Sequence, residues 1–168
     1  NTDRDSYYGP GNDPLKAYGK TTDLTAMGGA QYVHTFDKCF FMPSDLTAGL
    51  EYNRDRLKDN MWGYNRHTDQ TVNIYSAFLQ NEWKNDRWGI LIGGRLDKHN
   101  MVDNVIFSPR ANLRFNPTQN INLRLSYSSG FRAPQAFDED MHIENVGGTV
   151  AMIERAKDLK EEKSQSFS

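Results

Sequence analysis

Between Asn53 and His67 the chain gathers the guanidinium groups of Arg54, Arg56 and Arg66, the rings of Trp62 and Tyr64, and the imidazole of His67. Guanidinium groups pair with carboxylates and stack on rings, so this mixture suits an anionic, aromatic chelate. A solvated loop whose charges keep a surface soluble would use the same residue types. A second concentration, Asp138-Glu139-Asp140-Met141-His142-Ile143-Glu144, makes Asp138, Asp140 and His142 candidates for holding a hard cation. Its spacing is not that of a calcium loop, and a plain acidic surface loop fits it equally. Enzymatic chemistry finds no footing. There is no glycine-rich phosphate loop, nucleophile elbow or His-Glu-x-x-His pattern, and His34, His67, His99 and His142 show no metal-ligand spacing. No cofactor and no catalytic residue is expected.

The elements that must position these groups are strands. From Leu24 onward, segments with a period of two are separated by Asn, Asp, Pro and Gly clusters, which predicts consecutive antiparallel strands. In Trp88–Asp97, Trp88, Ile90, Ile92 and Leu96 share a face with Gly94, opposite Leu91, Arg95 and Asp97. Ala111, Leu113 and Phe115 alternate with Arg110 and Arg114; Ile121, Leu123, Leu125 and Tyr127 alternate with Arg124, Ser126 and Ser128. Earlier strands are predicted over 24–35, 45–56 and 70–84, where Phe78 breaks the pattern. Six strands result, with Ser164–Phe167 opening a seventh. The first twenty-three residues, with Gly9-Pro10-Gly11 and Asn12-Asp13-Pro14, read as loop. Residues 149–162 read as a short helix with Met152, Ile153, Ala156 and Leu159 on one side.

Composition narrows the class. Hydrophobic types make up 37% of 168 residues, low for a compact core of that size. Twenty basic against twenty-two acidic residues give a net charge of −2, which argues against a nucleic-acid partner. Cys39 stands alone, excluding an internal disulfide. No apolar run approaches the roughly 20 residues of a membrane-spanning helix, and the polar N-terminus is no signal peptide. A membrane β-barrel stays open, since its strands need only about 9–11 residues with every second one apolar. A chain beginning at Asn1 reads as processed or excised.

A soluble β-sandwich, for example a glycan-binding module gripping sugars through Trp62 and Tyr64, would also show strands with one apolar face. A small complete barrel would need eight or more paired strands. The connections favour a larger barrel. Residues 84–86 and 117–120 are tight turns and 36–44 an intermediate one, whereas 57–69, 98–104 and 130–163 are long, and the two kinds fall at opposite ends of the meander. Short turns at one end and long loops at the other characterise outer-membrane barrels. Trp83 and Trp88 flank one tight turn, where an aromatic girdle belongs.

Specific words then succeed one another: Gln80-Asn81-Glu82-Trp83, Gly93-Gly94-Arg95-Leu96-Asp97, Phe107-Ser108-Pro109-Arg110-Ala111-Asn112-Leu113-Arg114-Phe115, Leu123 through Gly130-Phe131-Arg132-Ala133-Pro134, and Glu162-Lys163-Ser164. In this order and spacing they resemble the barrel of TonB-dependent outer-membrane receptors, closely over 70–168 and loosely over 24–69. Asn81 departs from the acidic residue that family often has there. The resemblance implies an all-β, antiparallel up-and-down meander, a partial section of a barrel of about 22 strands. It further implies an outer membrane of a Gram-negative bacterium, lipid around the wall, a TonB complex acting through a plug, and a ferric siderophore or cobalamin as cargo. Calcium-holding loops occur in some cobalamin-transporting relatives. Neither plug nor TonB box is seen in these residues. Six or seven strands cannot close such a barrel, so the chain is expected to be a fragment, 24–168 forming barrel wall and 1–23 an extracellular loop. Alone it would be an open sheet or pair its edges with another copy. Arg95, Arg110, Arg114 and Arg124 would face the lumen, to meet the plug or guide anions. Gly130, Phe131, Arg132, Ala133 and Pro134 would act structurally, Pro134 helping the strand leave its ladder.

Overall fold

The computed structural model describes residues 1–7, 18–62, 65–134, 144–146, 149–151 and 160–168. Its strands are β1 (Thr2–Tyr7), β2 (Tyr18–Cys39), β3 (Met42–Met61), β4 (Arg66–Lys84), β5 (Trp88–His99), β6 (Ile106–Thr118), β7 (Ile121–Arg132), β8 (Glu144–Val146), β9 (Thr149–Ala151) and β10 (Glu162–Phe167). One eight-stranded sheet has the order β1-β2-β3-β4-β5-β6-β7-β10, and β8 pairs with β9 in a separate two-stranded ribbon. No helix among the described residues is long and apolar enough to cross a membrane. Contacts divide the chain into two units, 1–27 with 53–73 and 134–160, and 28–52 with 74–133 and 161–168.

In the second unit the expected faces hold. Ile92 lies opposite Ala111 on β6 and Asn81 on β4, and Ala111 lies opposite Tyr127 on β7. The apolar side chains point outward and stay uncovered: Ile92 is 56% exposed, Leu125 60% and Phe107 60%, while Ser76, Asp97 and His99 on the other face are buried. A soluble sandwich would cover this apolar face with a second sheet. None of the described residues does so. An apolar exterior over a polar interior is the pattern of a lipid-facing barrel wall. Phe78, the apparent misfit, lies on the polar face, where the absence of a side chain at Gly49 makes room for its ring; a Cβ there would stand 2.3 Å from Phe78 Cζ.

The tight turns are built by local side-chain bonds. Asn85 Oδ1 accepts from the amides of Arg87 (2.9 Å) and Trp88 (2.7 Å), an Asx arrangement that reverses the chain without help from glycine. Phe40 makes the β2–β3 turn with φ of 61°, a left-handed conformation rare for an aromatic residue. Around these turns Phe41 stacks on Trp83 with centroids 5.8 Å apart, and Trp88 on Phe115 at 4.2 Å. The tryptophans thus sit in an aromatic cluster where the girdle was expected.

In the first unit the strands run further than their apolar pattern. Residues 57–69, expected as a long loop, are strand except around the turn after Met61. Thr21 Oγ1 donates to Asp59 Oδ1 (2.6 Å) and Thr25 Oγ1 to Asp55 Oδ1 (3.1 Å), zipping β2 to β3 beyond the point where side chains alternate in polarity. Thr2–Tyr7, expected as loop, pairs with Tyr18–Asp23, and Thr22 Oγ1 donates to Asp3 Oδ1 at 2.9 Å. Residues 98–99 extend β5, 130–132 extend β7 and 162–163 open β10, so those loops are shorter than expected. Of the helix expected over 149–162, residues 149–151 are strand, and Met152, Ile153, Ala156 and Leu159 lie outside the described residues. With β1 added, the sheet has eight strands rather than six or seven.

Candidate functional site

The polar face of β3 to β7 carries the charged residues that the sheet holds most firmly. Arg95 is its centre. Its Nε donates to Asp97 Oδ1 (2.8 Å), Nη1 to Glu51 Oε2 (2.5 Å) and Nη2 to Ser76 Oγ (2.8 Å), while Ser76 Oγ donates to Asp97 Oδ1 (2.5 Å). Asp97 keeps only 2% of its surface. A carboxylate so buried needs such hydrogen-bonding partners, and the fork geometry of guanidinium engages three strands at once. Nearer the tight turns, Lys84 Nζ donates to Asp45 Oδ2 (2.5 Å), and Thr35 Oγ1 donates to Asp45 Oδ1 at 2.8 Å.

Arg110, Arg114 and Arg124 share that face, as the alternation predicts. The register sets Arg110 against Gly93 and Ser128, and Arg114 against Gly89 and Arg124. Arg114 lies across Gly89, where a Cβ would come 3.1 Å from its Nε. Its Nη2 donates to the Asn85 carbonyl (3.2 Å), and Arg124 Nε donates to Asn122 Oδ1 (2.8 Å). Arg95 and Arg110 border a concavity of about 430 Å³, lined also by Gln31, Thr47, Gln80 and Ser129 among others.

The cluster nominated from residues 53–67 does not converge. Because these residues are strand rather than loop, alternation sends neighbours to opposite faces. Asp59, Met61 and Arg66 belong to one face, where Arg66 Nη2 donates to Asp59 Oδ2 (3.0 Å) and contacts Met61 Sδ (3.1 Å). Arg54 and Arg56 are exposed on the other, Arg56 lying 3.5 Å from Asp69 and His67 Nδ1 3.1 Å from Asn60 Oδ1. Trp62 follows β3 half exposed, and Tyr64 lies outside the described residues.

Among the described residues no group of three or more His, Cys, Asp or Glu side chains could hold a metal ion. Asp138, Asp140 and His142 fall outside those residues. In the Gly130–Pro134 stretch, Gly130, Phe131 and Arg132 remain in the ladder opposite Ser164, Lys163 and Glu162, and Ala133 is buried with Val102 and Ile106 against Phe131. The chain leaves the ladder just before Pro134. Glu51, Ser76 and Asp97 are the polar-face residues that sequence reading left without a role. Each was visible on the polar side of its strand; only the register brings them to Arg95.

A family model described as TonB dependent receptor-like, beta-barrel, matches residues 1–168. The chain belongs to that family. Its members are receptors and transporters of the Gram-negative outer membrane rather than enzymes. The chain is also similar in structure to the siderophore receptor PirA from Pseudomonas aeruginosa, with a TM-score of 0.68 at 16% sequence identity. That match covers 89% of this chain and 29% of PirA, so the chain spans less than a third of that receptor's length. The likeness extends to the fold of a barrel section. A comparison with curated proteins gives no match.

Proposed function

We propose that this TonB-dependent receptor barrel section forms wall for energy-coupled uptake of a scarce chelated nutrient across the outer membrane, a ferric siderophore first and cobalamin second. The observation that carries the reading is the inverted sheet, with Ile92, Leu96 and Leu125 outward and Asp97, Ser76 and His99 buried. On this reading lipid surrounds the apolar face. Arg95, Arg110, Arg114 and Arg124 line the hydrated side, where a plug coupled to TonB would sit. Siderophore is placed before cobalamin because PirA is a siderophore receptor and shares the fold. Cargo capture falls to residues on the hydrated side, such as Arg66, rather than to Arg54 and Arg56.

The test is uptake of radiolabelled iron by cells whose only receptor is the polypeptide carrying this chain, supplied with catecholate, hydroxamate or carboxylate chelates in turn. Accumulation of one chelate, abolished when TonB is deleted, is the expected result. Accumulation of labelled cobalamin alone would move the cargo to the second choice. Transport of neither, by a receptor correctly inserted in the outer membrane, would overturn the proposal.

A further inference from the structure

On the apolar side of the sheet an open groove of about 560 Å³ crosses β2 to β5, bordered by Gly28, Ala30, Leu50, Ala77, Leu96 and Lys98 among others. Small residues keep its floor low. Ala77 pairs with Leu96 and Tyr75 with Lys98, while the Tyr52 and Tyr75 rings stand 5.0 Å apart beside them. Neither conformation nor packing calls for glycine at Gly28: its backbone avoids the left-handed region, and a Cβ built there would meet nothing within 4 Å. The space above it is open among the described residues.

One end of the groove lies at the level of lipid headgroups. Lys98 is ten residues past Trp88 on β5. A rise of about 3.3 Å per residue and a tilt of about 45° place it roughly 23 Å from the girdle at Trp88, near the opposite edge of an apolar band about 25 Å tall. Its ammonium is held in place, Nζ donating to the carbonyls of Val102 (3.2 Å) and Asp103 (2.6 Å). No carboxylate among the described residues pairs with it. Three donors against two carbonyl acceptors leave one donor, and the whole charge, for an anion. Lipid tails are as apolar as leucine, so burial alone selects no occupant here; fit and headgroup charge do. Leu50 and Leu96 stand on β3 and β5, which β4 separates, so their backbones are about 9–10 Å apart. A helix, about 10–12 Å across, does not enter between them, whereas a single acyl chain does.

We infer that this groove is a discrete site for one anionic phospholipid of the leaflet on the loop side, with its phosphate on Lys98 and one acyl chain across Ala77, Ala30 and Gly28. Such a lipid differs from those that merely surround a barrel wall: it is a single molecule, seated in a groove and selected by charge. The inference needs the apolar face to meet lipid and is independent of the cargo.

Native mass spectrometry of the intact receptor, released from detergent after exposure to equal amounts of phosphatidylglycerol and phosphatidylcholine, tests this. The expected result is one phosphatidylglycerol retained, preferred about tenfold over phosphatidylcholine, the factor a hydrogen bond to a charged group supplies. Lys98→Gln should abolish the preference and Lys98→Arg should keep it. Gly28→Leu fills the groove while leaving Lys98 intact, and should lower phosphatidylglycerol retention by at least as much. Leu125→Ala, on the same apolar face at β7, should change nothing. Equal retention of the two lipids, a preference that survives Lys98→Gln, or the same loss in Leu125→Ala would each overturn the site. A receptor dimer that retains no lipid and that Gly28→Leu disperses would overturn it too, giving the groove to a second copy. Transport separates the two proposals. A receptor that retains the lipid selectively but carries no chelate defeats the uptake reading alone, and one that transports without selective retention defeats the lipid site alone.

Discussion

Adjacent residues Leu91 and Ile92 provide the sharpest test of which face meets lipid. Ile92 is on the exposed apolar face, and Leu91 on the polar face between Glu82 and Asn112. Ile92 lies four residues past Trp88, whose stacking on Phe115 marks the girdle. With a rise of about 3.3 Å per residue and a tilt of about 45°, four residues carry it roughly 9–10 Å below that level, close to the middle of an apolar band about 25 Å tall. Arginine at the midplane of such a wall costs about 2–4 kcal/mol, falling to about 0–1 kcal/mol at the interface. Ile92→Arg is therefore expected to lose about 2–4 kcal/mol, and Ile121→Arg, at the turn end of β7, no more than about 1 kcal/mol. Leu91→Arg should also stay within about 1 kcal/mol, because its new charge meets Glu82 and water rather than acyl chains. The assay is guanidinium unfolding of the receptor in phosphatidylcholine vesicles, followed by tryptophan fluorescence. Equal costs at the three positions, or a larger cost at Leu91 than at Ile92, would refute the assignment of the faces.

Three further outcomes follow from the same geometry. Asp97→Ala removes the buried anion that bonds Arg95 and Ser76, and should cost about 2–4 kcal/mol in the same titration, with Asp97→Asn recovering part of it. Gly93→Ala should cost about 2–3 kcal/mol and Gly94→Ala nearer 1 kcal/mol: a Cβ at Gly93 meets Gln80 Cβ at 2.5 Å and the Leu79 carbonyl at 2.9 Å, whereas at Gly94 it meets the movable Phe107 ring. Phe40→Gly relieves a left-handed residue worth about 1–2 kcal/mol, so thermal unfolding in detergent should move upward; a downward shift would mean that the ring's contact with Trp83 outweighs the strain.

Strand faces were legible where one side meets an apolar surroundings and the other a polar one. Period two over 88–97, 110–116 and 121–128 assigns the same faces that the register assigns, because lipid-side and polar-side demands alternate residue by residue. The pattern fades at Thr2–Tyr7, Tyr18–Asp23 and Arg66–Asp69, where the ladder continues but both faces are polar. Hydrogen bonding between backbones, reinforced by Thr21 with Asp59 and Thr22 with Asp3, leaves no hydrophobic trace to read. The same blindness turned the Arg54–His67 stretch into a single ligand-gripping loop. Once Leu57 and Asp59 are seen as buried alternate members of a strand, Arg56 and Arg66 separate onto different faces. Phe78 and Leu91 failed the apolar pattern for an opposite reason, being apolar residues on the polar side. Their tolerance depends on neighbours such as Gly49 that only cross-strand register identifies.

Register also distinguishes arginines that the sequence presents as equivalent. Arg95, Arg110, Arg114 and Arg124 alternate identically with apolar residues, yet their electrostatic environments differ. Arg95 lies among Glu51, Ser76 and Asp97, with all of its fork engaged, so its replacement is a question of wall stability. Arg114 and Arg124 lean on neutral oxygens, a backbone carbonyl at Asn85 and the side-chain amide of Asn122. If the arginines served only to hydrate the wall, glutamine would replace any of them with similar consequences. The structure instead ties the Arg95 position to folding, because its fork bonds two carboxylates. Among glutamine variants of these four positions, unfolding measurements should therefore find Arg95 the costliest to replace.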